Sequence, residues 1–301
     1  MSQKFIYITD VHFGATPVSR KAGYNEQILA KVEWILKLAK KNKCVVLNGG
    51  DFFDKPKVAV FNLIQVLKLF RQYSDVEFYS IRGNPGHDSF EESSPLTIME
   101  MCGFFKLTDT HKDFGDVRVI FKDHGVEDAE DHVDASKINI MMTHETIVKD
   151  PIIFEHTLID NFKTKAQLVT VAHYHPYQGI MVNSNGTKFV APGAIARRKK
   201  VSHDIDREIK CVYINVNDQK EILCKEIIVP SVKDVWTEKT VLDIDDESCY
   251  NEMSEEVKKM KNLLLEEMKF SSIEEMLKTY ATGMNTEEAV LNFTLGELSK
   301  I

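Results

Sequence analysis

The chain has 301 residues, 43% of them apolar and 28% charged, with a formal charge of −8 at pH 7. That is an ordinary balance for a soluble globular protein, and no stretch approaches the ~18 uninterrupted apolar residues of a membrane span, so no membrane partner is expected. The acidic balance excludes a uniformly basic nucleic-acid binder, but residues 231–301 hold 16 acidic and 8 basic side chains and so carry all of it, leaving residues 1–230 neutral. The opening Met1-Ser2-Gln3-Lys4 precedes too short an apolar run for a signal peptide. Cys44, Cys102, Cys211, Cys224 and Cys249 show no close pair, so reduced thiols and a cytoplasmic location are expected.

Residues 5–9, Phe-Ile-Tyr-Ile-Thr, form a short β-prone run that ends at Asp10. From 25 to 42, Ile28, Leu29, Val32, Ile35, Leu36 and Ala39 recur at helical spacing, and a Lys-rich turn closes the segment as suits a helix C-terminus. Cys44-Val45-Val46-Leu47 predicts a second strand ending at Gly49-Gly50-Asp51. A second helix follows over about 58–73, then a third strand from Val76 to Ile81 that runs into Gly83-Asn84. Polar groups thus stand at the C-terminal end of each strand, where open α/β sheets place ligands. The middle of the chain is richer in strand, at Val117–Phe121, Ile138–Thr143, Leu168–Ala172, Lys188–Ala191 and Lys210–Val216.

After Val229-Pro230 the character changes. Met253, Val257, Met260 and Leu264 keep helical spacing, Ser271-Ser272-Ile273-Glu274 reads as a capping box, Gly283 closes that helix, and Asn285-Thr286-Glu287-Glu288 opens another. We therefore divide the chain into a main domain, 1–230, and an acidic helical segment, 231–301. The segment either packs as a small domain or docks another protein through an apolar stripe that a partner helix completes.

Five polar clusters fall at five predicted strand ends: Asp10-Val11-His12, Gly50-Asp51-Phe52-Phe53-Asp54, Gly83-Asn84-Pro85-Gly86-His87-Asp88, Thr143-His144-Glu145 and Ala172-His173-Tyr174-His175. Any one of them recurs by chance. Together they suit two adjacent cations. Residues two apart on a strand share a face, a carboxylate can bridge two ions, and an amide oxygen with neutral imidazoles completes sites for Mn²⁺, Fe or Zn²⁺. Two such ions roughly 3.5–4 Å apart can stabilise both the attacking and the leaving oxygen at phosphorus.

The order of these clusters resembles the calcineurin-like metallophosphoesterase signature, D-x-H, G-D-x-x-D, G-N-H-[DE], an isolated H and G-H-x-H, over about residues 5–200. The resemblance implies a four-layer αββα sandwich of α/β class with a small C-terminal helical appendage. It implies Asp10, His12, Asp51 and His175 around a first divalent ion, with Asp51 bridging, and Asn84, His144 and His173 completing a second. Mn²⁺ is the ion expected for both. Asp54 supports these ligands without binding metal. His87 is implied as the general acid that protonates the leaving oxygen, with Asp88 orienting it. Two departures stand out: Ala172 replaces a glycine, and Pro85-Gly86 separates Asn84 from His87.

Asp10-Val11-His12-Phe13-Gly14, Gly50-Asp51-Phe52-Phe53-Asp54 and Ala191-Pro192-Gly193-Ala194 look like the SbcD type and phage recombination nucleases within that class. That likeness implies a DNA nuclease of recombination and repair, exonucleolytic (3′ to 5′) on duplex ends and open to endonuclease action on single strands. Arg197, Arg198, Lys199 and Lys200 would contact the DNA backbone. An SMC-like ATPase of the SbcC type would dock on the C-terminal helices, and a homodimer is left open. No G-x-x-x-x-G-K-[ST] loop occurs, so ATP hydrolysis would come from another chain. The alternatives are a small-substrate phosphodiesterase or phosphatase, and a non-catalytic scaffold that keeps its metals for structure.

Overall fold

The structure is a computed structural model. It describes residues 2–231, except 18, 22, 90, 109, 153, 154, 200, 201 and 206, together with Trp236. The helices expected beyond residue 250, and with them the docking segment, lie outside the described residues.

The first half alternates strand and helix: β1 (Gln3–Ile8), α1 (Tyr24–Asn42), β2 (Val45–Asn48), α2 (Val60–Gln72), β3 (Phe78–Ser80), α3 (Pro95–Met101) and β4 (Lys106–Leu107). The second half is mostly strand: β5 (His111–Phe114), β6 (Val117–Lys122), β7 (Ile138–Thr143), β8 (Ile147–Val148), β9 (Thr157–Leu158), β10 (Leu168–Val171), β11 (Gly179–Val182) and β12 (Lys188–Ala191). A short α4 (Ser202–Ile205) precedes the hairpin of β13 (Lys210–Val216) and β14 (Ile222–Ile228). Two six-stranded sheets result, ordered β14-β13-β1-β2-β3-β4 and β11-β12-β10-β7-β6-β5.

Alternation along the strands explains the layering. In β1, Phe5 and Tyr7 face the second sheet and meet Val119, Phe121, Ile140 and Met142, while Ile6 and Ile8 face the helices. Those helices bury Ile28, Val32 and Ile35 of α1 and Val66 and Phe70 of α2 on the same face. The outer face of the second sheet, with Ile120, Met141, Val169 and Phe189, is covered by Ala129 of the 3₁₀ turn Asp128–His132 and by Ile147 and Ile159 at the β8–β9 ribbon. This is the expected αββα sandwich, with a thin fourth layer. No helix among the described residues is long and apolar enough to cross a membrane.

The strands β1, β2 and β3 run parallel in one sheet, and β6, β7, β10 and β12 run parallel in the other. Their C-terminal ends carry the polar clusters.

Candidate active site

The ladder between β1 and β2 continues past both strands. The amide of Asp10 donates to Gly50 O at 3.2 Å, His12 to Asp51 O at 2.9 Å, Phe13 to Phe52 O at 2.8 Å, and Asp54 back to Phe13 O at 2.9 Å. This register sets Asp10 and His12 beside Asp51 and Asp54. Phe52 anchors the loop, its ring packing on Phe70, Phe78 and Phe105 at 4.9–5.9 Å. The two aromatics between the acids are therefore core residues that hold the carboxylates at the rim.

Close approach of the loops demands glycine. A Cβ on Gly83 would collide with the Asp51 carboxylate, and one on Gly50 (φ +97°) would lie 2.7 Å from His144 Nδ1. Asp10, His12, Asp51 and His173 also hold φ of 46–71°, in the left-handed region that side chains avoid. Such conformations cost of order 1–3 kcal/mol each and persist only where the surroundings impose them.

The ligand atoms converge. His12 Nε2 lies 3.1 Å from His175 Nε2 and 3.8 Å from Asp10 Oδ1, and His175 Nε2 lies 3.5 Å from the same oxygen. Asp51 Oδ2 stands 3.4 Å from His144 Nε2 and 3.9 Å from both His12 Nε2 and His87 Nε2. His144 Nδ1 faces Gly49 O at 2.6 Å and so must donate, which turns Nε2 toward Asp51. His173 packs edge-on against His144, ring centroids 5.2 Å apart.

Electrostatics separates the carboxylates from the rings. Burial pushes Asp10 up, but His175, His144 and His12 outweigh it and hold the carboxyl well below its usual range. Burial pushes His12 down to about 4, so the ring is neutral. For His144, burial is overcome by the Asp51 and Asp10 carboxylates, which push it up to about 9. Asp54 is held at about 2 because His12 and Arg198 outweigh its burial.

These donors fit divalent cations. Asp10 Oδ1, Asn84 Oδ1 and His144 Nε2 are buried without a hydrogen-bond partner, an arrangement that costs about 1–3 kcal/mol per atom unless something else engages it. Asp10–His12–His175, Asp10–Asp51–His144 and His12–Asp54–His87 each bring their ligand atoms within 4.8 Å of one another.

The Pro85-Gly86 insertion does not remove His87 from the cluster. The amides of His87 and Asp88 both donate to Asn84 O at 2.8 Å, closing a turn. The His87 ring then packs edge-on against His12, centroids 4.8 Å apart, with Nδ1 on the Asp54 carbonyl. Asp88 differs from expectation. Its Oδ2 accepts from the amides of Asp51 (2.7 Å) and Gly83 (2.8 Å), so it ties two loops together while the Asp54 carbonyl holds His87. Burial, then the neighbouring Asp51 carboxylate, pushes Asp88 up to about 7.

The basic run divides. Arg197 is buried, donating to Arg207 O at 2.9 Å, so it is not the surface phosphate contact expected of it. Arg198 turns into the site, on Asp54 Oδ1 and 3.3 Å from His12 Nδ1. Lys199 is exposed, and Lys200 lies outside the described residues. Sequence reasoning missed His124, which follows β6 and stacks on His173 with centroids 5.7 Å apart. A histidine just past a strand end was the available signal.

Buried carboxylates facing imidazole rings and an amide oxygen at the ends of parallel strands define a metal-dependent hydrolase. The calcineurin-like phosphoesterase family model matches residues 3–201, and the chain belongs to that family. Over 100 residues it is 30% identical to the DNA double-strand break repair protein Mre11 of Aeropyrum pernix, an alignment covering 32% of this chain and 24% of that protein. A solved structure described as a novel archaeal phosphodiesterase is similar over 75% of this chain and 99% of that one, at 11% identity and a TM-score of 0.39.

Proposed function

We propose that this chain is a two-metal DNA nuclease, Mn²⁺-dependent, that acts on duplex ends and serves recombination or repair with an SMC-like ATPase. The observation that carries the phosphodiesterase reading is the shared Asp51 carboxylate, with imidazole nitrogens of His12 and His144 on either side at 3.9 and 3.4 Å. The likeness to Mre11 supports DNA as the substrate, and the acidic segment from residue 231 onward is the part we assign to the ATPase.

In this reading Asp10, His12, Asp51 and His175 would hold one ion, and Asp51, Asn84, His144 and His173 would hold the other. The ions would supply Lewis acidity at phosphorus and a nucleophilic water at neutral pH. The chain's own residues do the rest. Asp54 Oδ1, 3.5 Å from Nδ1 of His12, would take the proton of that nitrogen and leave the Nε2 lone pair toward the site. His87 has Nδ1 committed to the Asp54 carbonyl, so the proton it delivers to the departing sugar oxygen leaves from Nε2. Arg198, partly exposed above Asp54, is placed to meet a phosphate oxygen. Lys199, exposed beside it, extends that positive edge.

The test is cleavage of end-labelled duplex and single-stranded DNA, and of bis-p-nitrophenyl phosphate, with Mn²⁺ and with Asp51→Ala as the control. DNA cleavage lost in the variant supports the nuclease. Hydrolysis of the small ester alone, even with an ATPase partner present, would favour a small-substrate phosphodiesterase.

A further inference from the structure

The turn Asp123-His124-Gly125, just past β6, belongs to none of the motifs that define the site, yet it touches the loops that carry Asn84, His144 and His173, three of the four residues of the second ligand set. The Asp123 carboxylate accepts from the Arg82 amide at 2.7 Å and from Arg82 Nη1 at 3.1 Å. The His124 amide donates to Arg82 O at 3.0 Å. Arg82 lies two residues before Asn84 on the loop after β3. On the other side, His124 Nδ1 lies 3.0 Å from His144 O, and because a carbonyl only accepts, Nδ1 carries the proton. The same ring stacks on His173 at an interplanar angle of 30° and stands edge-on to His144, centroids 5.9 Å away. Gly125 closes the turn with φ +78°.

We propose that the Asp123–His124 turn is a positioning device for the second ion, fixing Asn84, His144 and His173 relative to one another. This rests on the two-ion reading above. The loops after β3, β7 and β10 end in different places along the chain, and among the described residues no motif side chain reaches all three by hydrogen bond, ion pair or ring contact. His124 joins them through one amide, one ring nitrogen and one ring face. The first set is held by other contacts: Thr9 Oγ1 on Asp10 at 2.7 Å, Ala194 N on His175 O at 3.0 Å, and Asp54 with Arg198 on His12. Loss of the brace therefore separates the two ions in affinity.

Partners that orient a metal ligand from behind typically contribute 10–100-fold in metal affinity. Calorimetric Mn²⁺ titration of the full chain, wild type against His124→Ala, reads this directly. The wild type should bind two ions. His124→Ala should keep one at wild-type affinity and weaken the other by about 10–100-fold. His124 is exposed, so its truncation leaves the core packed. Two further variants divide the contributions: His124→Gln keeps an N–H donor without the ring, and His124→Phe keeps the stack without the donor. Both should fall between wild type and His124→Ala, and raising Mn²⁺ should restore ester hydrolysis in all three. Two wild-type affinities in His124→Ala would overturn the brace and leave the two-ion reading standing. Fewer than two ions in the wild type would overturn that reading, and the brace with it.

Discussion

His12 and His175, 163 residues apart in the chain, face each other through their Nε2 atoms at 3.1 Å. Both come within 4 Å of Asp10 Oδ1, and one nitrogen pair thus marks where strands of the two separate sheets deliver their ends. On the far side of the His12 ring, Asp54 decides which nitrogen is free. Asp54→Asn keeps the shape and removes the charge. It should weaken the first ion by about 10–100-fold and lower ester hydrolysis at limiting Mn²⁺. Metal titration beside a rate measurement at low and saturating Mn²⁺ checks this; unchanged affinity would release Asp54 from the role.

His87 gives a prediction that depends on the leaving group. General-acid catalysis contributes about 10²–10⁴-fold where the departing oxygen needs a proton. His87→Gln should therefore lose about that much kcat on DNA while its Mn²⁺ stoichiometry stays at wild type. With p-nitrophenolate, a good leaving group, the loss should be much smaller. Equal losses on both substrates would point to a binding role instead.

Gly83 tests the close approach of the loops. Gly83→Ala puts a methyl group into the Asp51 carboxylate. The loops must separate, at a cost of about 1–3 kcal/mol, and the ligand sets separate with them. Thermal unfolding should show a lower Tm and hydrolysis should be lost, whereas Gly86→Ala, with nothing within 4 Å of the added Cβ and no left-handed φ to strain, should leave Tm and activity intact.

Metal binding should also appear as stability. An ion that binds only the folded chain adds about 2.7 kcal/mol when present at 100 times its dissociation constant. Tm should rise with Mn²⁺ and fall on chelation, and in Asp51→Ala the Mn²⁺-dependent rise should shrink because both ions lose a shared ligand. A Tm indifferent to Mn²⁺ in the wild type would count against a built site.

The parts of the fold legible in the sequence were the ones with a single strong pattern. The runs 138–143, 188–191 and 210–216 are mostly apolar, with Ile, Val, Phe and Tyr prominent, and β7, β12 and β13 occupy those spans. β14 went unread because it is an edge strand whose charged and apolar residues alternate only loosely, with Ile228 exposed. α3 is seven residues long, too short for a periodic pattern, although Ser94-Pro95 marks its start and Ser94 Oγ accepts from the Thr97 amide. In the site, the clusters at strand ends were legible because each combines ligand types with a glycine or a fixed spacing. Arg197 and Arg198 were not separable, since adjacent residues after Gly193 turn to opposite sides and only packing decides which is buried. Asp88 follows His87 directly in the chain, yet after the turn made by Pro85-Gly86 the two side chains meet different backbone groups, the Asp51 amide for Asp88 and the Asp54 carbonyl for His87.

The most direct measurement is anomalous diffraction at the manganese edge from crystals grown with Mn²⁺. Two peaks that share Asp51 are expected, one with Asp10, His12 and His175 around it and the other with Asn84, His144 and His173. A single peak, or peaks away from Asp51, would contradict the two-ion reading.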